Sequence, residues 1–225
     1  LPGLLVVEHD SDAPAGLLAG WAHARGLSLR TIRLHAGQGL PGGLPPQDCA
    51  AVVLLGSERT AYDDQVPWLA AELPFVSRLL AADVPMLGIC FGGQVLARVL
   101  GARLFRLAAP EIGWVWAPSR CAGLPPGPWP SWHQDAFDLP RGAALLAANE
   151  VAVQAFSFGP HVGVQFHPEA TRPIVASWLA GSDPPPPAEL TGPLLAGDAG
   201  PVWEQAAANA EKFFSGWLDG CLACG

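Results

Sequence analysis

The sequence predicts an α/β fold, with a mainly parallel sheet, helices on both of its faces and a small antiparallel extension. Three observations predict it. Over the first half of the chain, short apolar runs rich in β-branched residues alternate with longer amphipathic segments, the βαβ rhythm of parallel strands covered by helices. After Gly101 the pattern changes to short strands parted by turn-rich loops, which suits hairpins rather than crossovers. Half of the 225 residues are hydrophobic and 14% are charged, against roughly 25% charged in an average soluble domain. A chain with that balance can bury a large core and has no reason to stay disordered.

Leu4–Val7 is a continuous apolar run ending in Glu8-His9-Asp10, as a buried parallel strand reads. Residues 13–25 read as a helix, Leu27–Leu34 as a second strand and Ala50–Leu55 as a third. A helix over about Val66–Ala82 leads to the apolar strand Val84–Ile89, placed centrally in the sheet, and Gly92–Leu100 is the helix after it. Residues 103–107, 112–117, 143–148, 151–158 and 161–166 read as short strands, and helix returns at about 170–180. The division expected is one unit over residues 1–180, then a Pro/Gly linker over 181–201 and a final helix over 202–219 packed on the same unit.

Composition excludes several classes of function. Twelve basic against twenty acidic side chains give a formal net charge of −8, and no basic run occurs. The phosphate-neutralising charge that dominates nucleic-acid affinity is therefore missing, and so is a polybasic membrane-surface site. No window offers the roughly 20 predominantly apolar residues of a membrane span. The first residues read as a loop and a strand, not a signal peptide. Five cysteines, an odd number in a chain large enough to fold without staples, favour a reducing compartment, and a cytoplasmic location is expected. Only one basic residue is lysine, Lys212, which reflects base composition more than function.

The chemistry concentrates in two segments. In Val84-Pro85-Met86-Leu87-Gly88-Ile89-Cys90-Phe91-Gly92-Gly93-Gln94, an apolar strand runs through Gly-x-Cys-x-Gly directly into a helix. That is the strand-turn-helix context of a nucleophile elbow, with cysteine in the place of serine. The helix N-terminus beside Cys90 favours thiolate over thiol. Alone, the motif fits a buried structural cysteine equally well. The second segment decides between the two. Val162-Gly163-Val164-Gln165-Phe166-His167-Pro168-Glu169 places His167 and Glu169 two apart, hence on one side of an extended chain. Glu169 can then hold one imidazole nitrogen while the other reaches Cys90, the nucleophile, base and orienter of covalent catalysis.

With these motifs, and with Leu54-Leu55-Gly56-Ser57, Ala61-Tyr62-Asp63-Asp64, Pro67-Trp68-Leu69, Glu111-Ile112-Gly113-Trp114 and Trp132-His133-Gln134-Asp135-Ala136-Phe137, the sequence resembles the class I, triad-type glutamine amidotransferases. It is most similar to their free-standing, GMP-synthase-like branch, whose fold is flavodoxin-like. The matching pieces run in the family's order from about residue 50 to 169. The resemblance implies that Cys90 attacks the γ-carbonyl of glutamine or of another γ-glutamyl compound to form a thioester. His167 then shuttles the proton, Glu169 orients His167, and the backbone amides of Gly56 and Phe91 form the oxyanion hole. Gln94, His133 and Asp135 fall where relatives meet the glutamyl group. Many relatives carry Gly-Gly-Pro where this chain has Leu55-Gly56-Ser57-Glu58-Arg59.

Several features read two ways. His133 and Asp135 lie either on a loop beside the substrate or on a surface turn packed by Trp132 and Phe137. Asp63 and Asp64 suit helix capping. Cys221-x-x-Cys224 is half of a metal site without the other half and reads as a frayed tail; neither a metal nor a cofactor is expected. Neither a phosphate-loop nor an ATP-pyrophosphatase signature occurs, so this stretch cannot activate an acceptor with ATP. Three functions stay open: a glutaminase supplying ammonia to a partner synthase, a stand-alone γ-glutamyl hydrolase, and a non-catalytic binding module on the same scaffold.

Overall fold

The structure is a computed structural model in which residues 3–45, 48–220 and 222 are described. Nine strands and six α-helices are found among them. The first half runs β1 (Gly3–Glu8), α1 (Gly16–Ala24), β2 (Ser28–Arg33), β3 (Cys49–Leu54), α2 (Leu69–Ala81), β4 (Met86–Ile89) and α3 (Phe91–Val99). The second half runs β5 (Leu104–Val115), β6 (Trp129–Phe137), β7 (Ala144–Ala148), β8 (Val153–Phe158), β9 (His161–Val164), α4 (Arg172–Gly181), α5 (Ala188–Leu195) and α6 (Gly200–Leu218).

Seven strands form one sheet in the order β2-β1-β3-β4-β9-β8-β7. The pairs from β2 across to β9 are parallel, and β8 and β7 extend the edge antiparallel. β4 is the middle strand, as its short apolar sequence predicts. Alternation sends its neighbours' side chains to two cores. On β1 and β3, Leu4, Val6, Ala51 and Val53 face one side with α1 and α6, where Phe213, Phe214 and Trp217 pack. Leu5, Val7, Val52 and Leu54 face the other, with Phe75 and Val76 of α2 and Val95 and Leu96 of α3.

Three segments differ from the sequence reading. Residues 103–107 and 112–117 are not two strands but one, β5, interrupted by a register shift between Arg106 and Glu111. Residues 129–137, read as a loop, form β6, which pairs with β5 as a separate two-stranded antiparallel sheet. The proline-rich stretch after residue 181 contains α5, which has no capping side chain and is held instead by tertiary bonds. Trp114 Nε1 donates to Pro193 O at 3.0 Å and Trp203 Nε1 to Leu194 O at 2.8 Å. The cysteine count points to a reducing compartment, yet Cys121 is disulfide-bonded, and Cys49 and Cys90 are the free thiols among the described residues. Cys221 and Cys224 lie outside the described residues. Among the described residues, no helix is long and apolar enough to cross a membrane.

Candidate active site

β4 delivers Cys90 to the carboxyl edge of the sheet, where ligands of open α/β folds bind. Cys90 has φ 51° and ψ −106°, a positive-φ conformation that a non-glycine residue adopts only when its surroundings enforce it. Three backbone bonds enforce it here. Cys90 N donates to Val164 O at 2.8 Å, Gly92 N to Leu55 O at 3.1 Å, and Gln94 N to Cys90 O at 2.9 Å. The turn is so close that a Cβ at Gly92 would overlap the Leu54 carbonyl, and one at Gly88 the carbonyl of Gly92. This packing explains the glycines on either side of the cysteine.

His167 stands just past the end of β9 and is fixed on three sides. Its N–H donates to Pro130 O of β6 at 2.9 Å, its Nδ1 meets Glu169 Oε1 at 2.8 Å, and its ring lies 4.6 Å from that of Trp178. Glu169 is itself anchored, its carbonyl accepting from Leu17 N at the start of α1 at 2.8 Å. Burial works against a charged imidazole, but the Glu169 carboxylate and the Cys90 sulfur outweigh it and push the His167 pKa up from 6.5 to about 10. The second ring nitrogen, Nε2, is buried and makes no hydrogen bond of good geometry. It is the atom left to act toward the sulfur, and catalytic contacts of this kind commonly tighten only once substrate is bound.

Gly56 faces both groups: a Cβ there would lie 3.1 Å from His167 Cε1 and 4.0 Å from Cys90 Cβ. Phe91 opens α3, fully buried. Gln94 is buried and donates to Asp135 O at 3.0 Å. His133 has both nitrogens engaged, Nδ1 with Asp135 O at 3.0 Å and Nε2 with Glu111 Oε2 at 2.7 Å. Asp135 accepts from Thr60 Oγ1 at 2.9 Å and from Tyr62 OH at 3.1 Å, which ties the loop after β3 to β6. Glu111 gathers three donors in all, the other two being Asn149 and Gln154. Burial alone raises its pKa, but bonding and charge from His133, then the two amides, hold the carboxyl below its usual range.

Gly56, Cys90, Gln94, His133, Asp135 and His167 line a cavity of about 500 Å³ together with Trp132, Trp178 and the run Pro184–Pro187. That is a size typical of small-molecule sites. Among the described residues, no cluster of three or more His, Cys, Asp or Glu side chains is arranged to hold a metal ion.

The sequence pattern of the glutamine amidotransferase class-I family matches residues 47–173, more than half of the chain. The chain belongs to this family. A glutamine-hydrolysing GMP synthase of Thermus thermophilus is 34% identical over 148 residues, covering 59% of this chain and 28% of that protein. The chain thus spans little more than a quarter of that relative. The glutamine amidotransferase-like protein YfeJ of Salmonella typhimurium is 29% identical over 189 residues, covering 78% of this chain and 79% of YfeJ. The solved structure of a glutamine amidotransferase from Thermotoga maritima superposes with a TM-score of 0.84 at 28% identity, over 96% of this chain and 97% of that one.

In this member of the family, two neighbours of the cysteine and histidine escape a reading of motifs. Gln165 is fully buried and its Nε2 donates to Cys90 Sγ at 3.6 Å. The alternation that pairs His167 with Glu169 also puts Gln165 on their side, so the signal was present. β6 carried no such signal. It supplies the Pro130 carbonyl for His167, and the Trp132 carbonyl lies 3.9 Å from Cys90 Sγ.

Proposed function

We propose that the protein hydrolyses the γ-amide of glutamine, or of another γ-glutamyl compound, through a thioester on Cys90. The observation that carries this reading is the meeting of Cys90 and His167 on one cavity, with the buried Glu169 carboxylate behind the imidazole at 2.8 Å. The Cys90 sulfur adds to the γ-carbonyl carbon, and the oxygen takes up negative charge against the amides of Gly56 and Phe91. The intermediate collapses as the C–N bond breaks, and protonated His167 gives its proton to the leaving ammonia. Neutral His167 then takes a proton from water as the water attacks the thioester, releasing glutamate and the Cys90 thiolate. Glu169 keeps the imidazole in one tautomer and stabilises its charged form.

Gln94, His133 and Asp135 complete the glutamyl pocket in this proposal, the last two by holding β6 and the loop after β3 against it. Residues 1–180 carry the chemistry, with the described residues of the 181–225 stretch packed on the same unit. Activation of an acceptor for the ammonia lies outside this stretch, which has no nucleotide-activating motif. A mass-spectrometric assay of glutamate release from glutamine and a set of γ-glutamyl amines tests the proposal. Release by wild type and none by Cys90→Ala is expected; equal release by both overturns it.

A further inference from the structure

The two residues that follow β1 face opposite ways, and each ends beside one half of the proposed oxyanion site. Asp10 reaches the turn after Gly56: its Oδ2 accepts from Ser57 Oγ at 2.7 Å and from Glu58 N at 2.9 Å. Ser57 Oγ in turn accepts from Arg59 N at 3.1 Å. Just before Gly56, Leu55 N is held by Val7 O of the same β1 at 3.1 Å. A proline in this turn would have a fixed φ; Ser57 lacks that restraint, and its hydroxyl is tied to Asp10 instead.

His9 points the other way and is wholly buried. Its Nε2 meets Glu72 Oε1 of α2 at 2.8 Å, with both side chains at 0% exposure. Its ring packs edge-on against Phe91, with centroids 4.8 Å apart and planes 62° apart. His9 Nδ1 and Glu72 Oε2 have no partner. A buried ionisable pair left half-satisfied is a poor way to stabilise a core, and apolar residues commonly do as well or better. Its place behind the residue whose amide faces the reacting carbonyl calls for another reason.

The geometry points to His9 and Asp10 as a two-sided brace for the oxyanion-binding amides: Asp10 fixes the turn carrying Gly56, and His9, locked by Glu72, backs Phe91. The inference rests on the amidase reading above and assigns positioning roles: Asp10 borders the cavity, but its hydrogen bonds go to the turn after Gly56, and those of His9 to Glu72. A donor amide displaced from its place loses most of its effect, because the oxyanion develops at one point.

The test compares wild type with Asp10→Ala, Asp10→Asn and the double variant His9→Leu/Glu72→Leu, which leaves no unpaired charge behind. Three quantities are read: kcat and KM for glutamine, the rate of inactivation by a chloroketone analogue of glutamine, and the rate of Cys90 alkylation by iodoacetamide. The chloroketone oxygen occupies the oxyanion position, whereas iodoacetamide needs no such donor. Removal of a whole donor costs about 10²–10³ in kcat, so Asp10→Ala is expected to lose about 10–100-fold in kcat and in chloroketone rate. KM and the iodoacetamide rate stay unchanged, and Asp10→Asn, whose carbonyl accepts the same two bonds, restores most of the loss. The double variant behaves like Asp10→Ala. A folded Asp10→Ala protein with wild-type kcat, or with an equal fall in iodoacetamide reactivity, overturns the brace. Failure of the amidase reading shows elsewhere, as absence of glutamate release by wild type.

Discussion

Gln165 Nε2 points at Cys90 Sγ from 3.6 Å, so the sulfur has an amide donor from the strand end that also carries His167. Hydrogen bonds to charged groups contribute about 1.5–3 kcal/mol, and a long sulfur contact falls at the lower end. Gln165→Leu is expected to slow thioester formation roughly tenfold. Gln165→Glu, which buries a carboxylate beside the sulfur, should slow it further. Single-turnover kinetics decide the order; a faster Gln165→Glu enzyme would contradict it.

Glu169→Gln keeps a partner for His167 Nδ1 but removes the charge that holds the imidazolium. His167→Ala removes the proton shuttle and should be the more severe change, although members of one unit are strongly non-additive. General acid–base help is commonly about 10²–10⁴-fold, so both losses are easily measured as glutamate release. Wild-type rates in folded variants, checked by circular dichroism, would remove both residues from the mechanism.

Gly92→Ala places a methyl group on the Leu54 carbonyl. Overpacking of this kind costs about 1–3 kcal/mol, and here it also disturbs the turn that presents Cys90. Gly20, inside α1, has nothing within 4 Å of its would-be Cβ, so Gly20→Ala should be neutral or stabilising by roughly 0.5–1 kcal/mol. Urea melts of the two variants give opposite signs if the close approach is the cause.

His167 has a folded-state pKa raised to about 10 from 6.5. A raised pKa adds stability that is full below pH 6.5 and is lost as pH climbs toward about 10. The melting temperature of wild type relative to His167→Gln should therefore decline across that window. A gap that stays constant from pH 6 to pH 10.5 would show that His167 is not charged in the folded protein.

Glu111 gives the opposite sign. Its carboxyl is held below the ordinary 4.5 by His133, Asn149 and Gln154, against the effect of burial. That stability is present above pH 4.5 and is lost as pH falls through the lower folded value. Wild type should melt above Glu111→Gln at pH 7, and the difference should shrink in acid. Equal melting temperatures at pH 7 would count against the cluster as a brace for β5 and β6.

Two chemical facts were local enough to be read from the chain: an apolar strand running into Gly-x-Cys-x-Gly, and an imidazole two residues from a carboxylate after a strand. Each depends on neighbours within a few positions, through strand alternation and the steric demands of a tight turn. The apolar periodicity likewise determined the parallel sheet and the central place of β4. What the chain could not disclose were contacts between residues far apart in sequence. Trp129–Phe137 forms a strand because β5 offers it a partner, and α5 forms in a proline-rich stretch because Trp114 and Trp203 take its carbonyls. Asp10 and His9 acquire meaning only when the loop after β3, α2 and α3 come to rest against the end of β1. Backbone preference and side-chain period act over a turn or a strand, whereas these pairings exist only once the sheet has brought its carboxyl ends together.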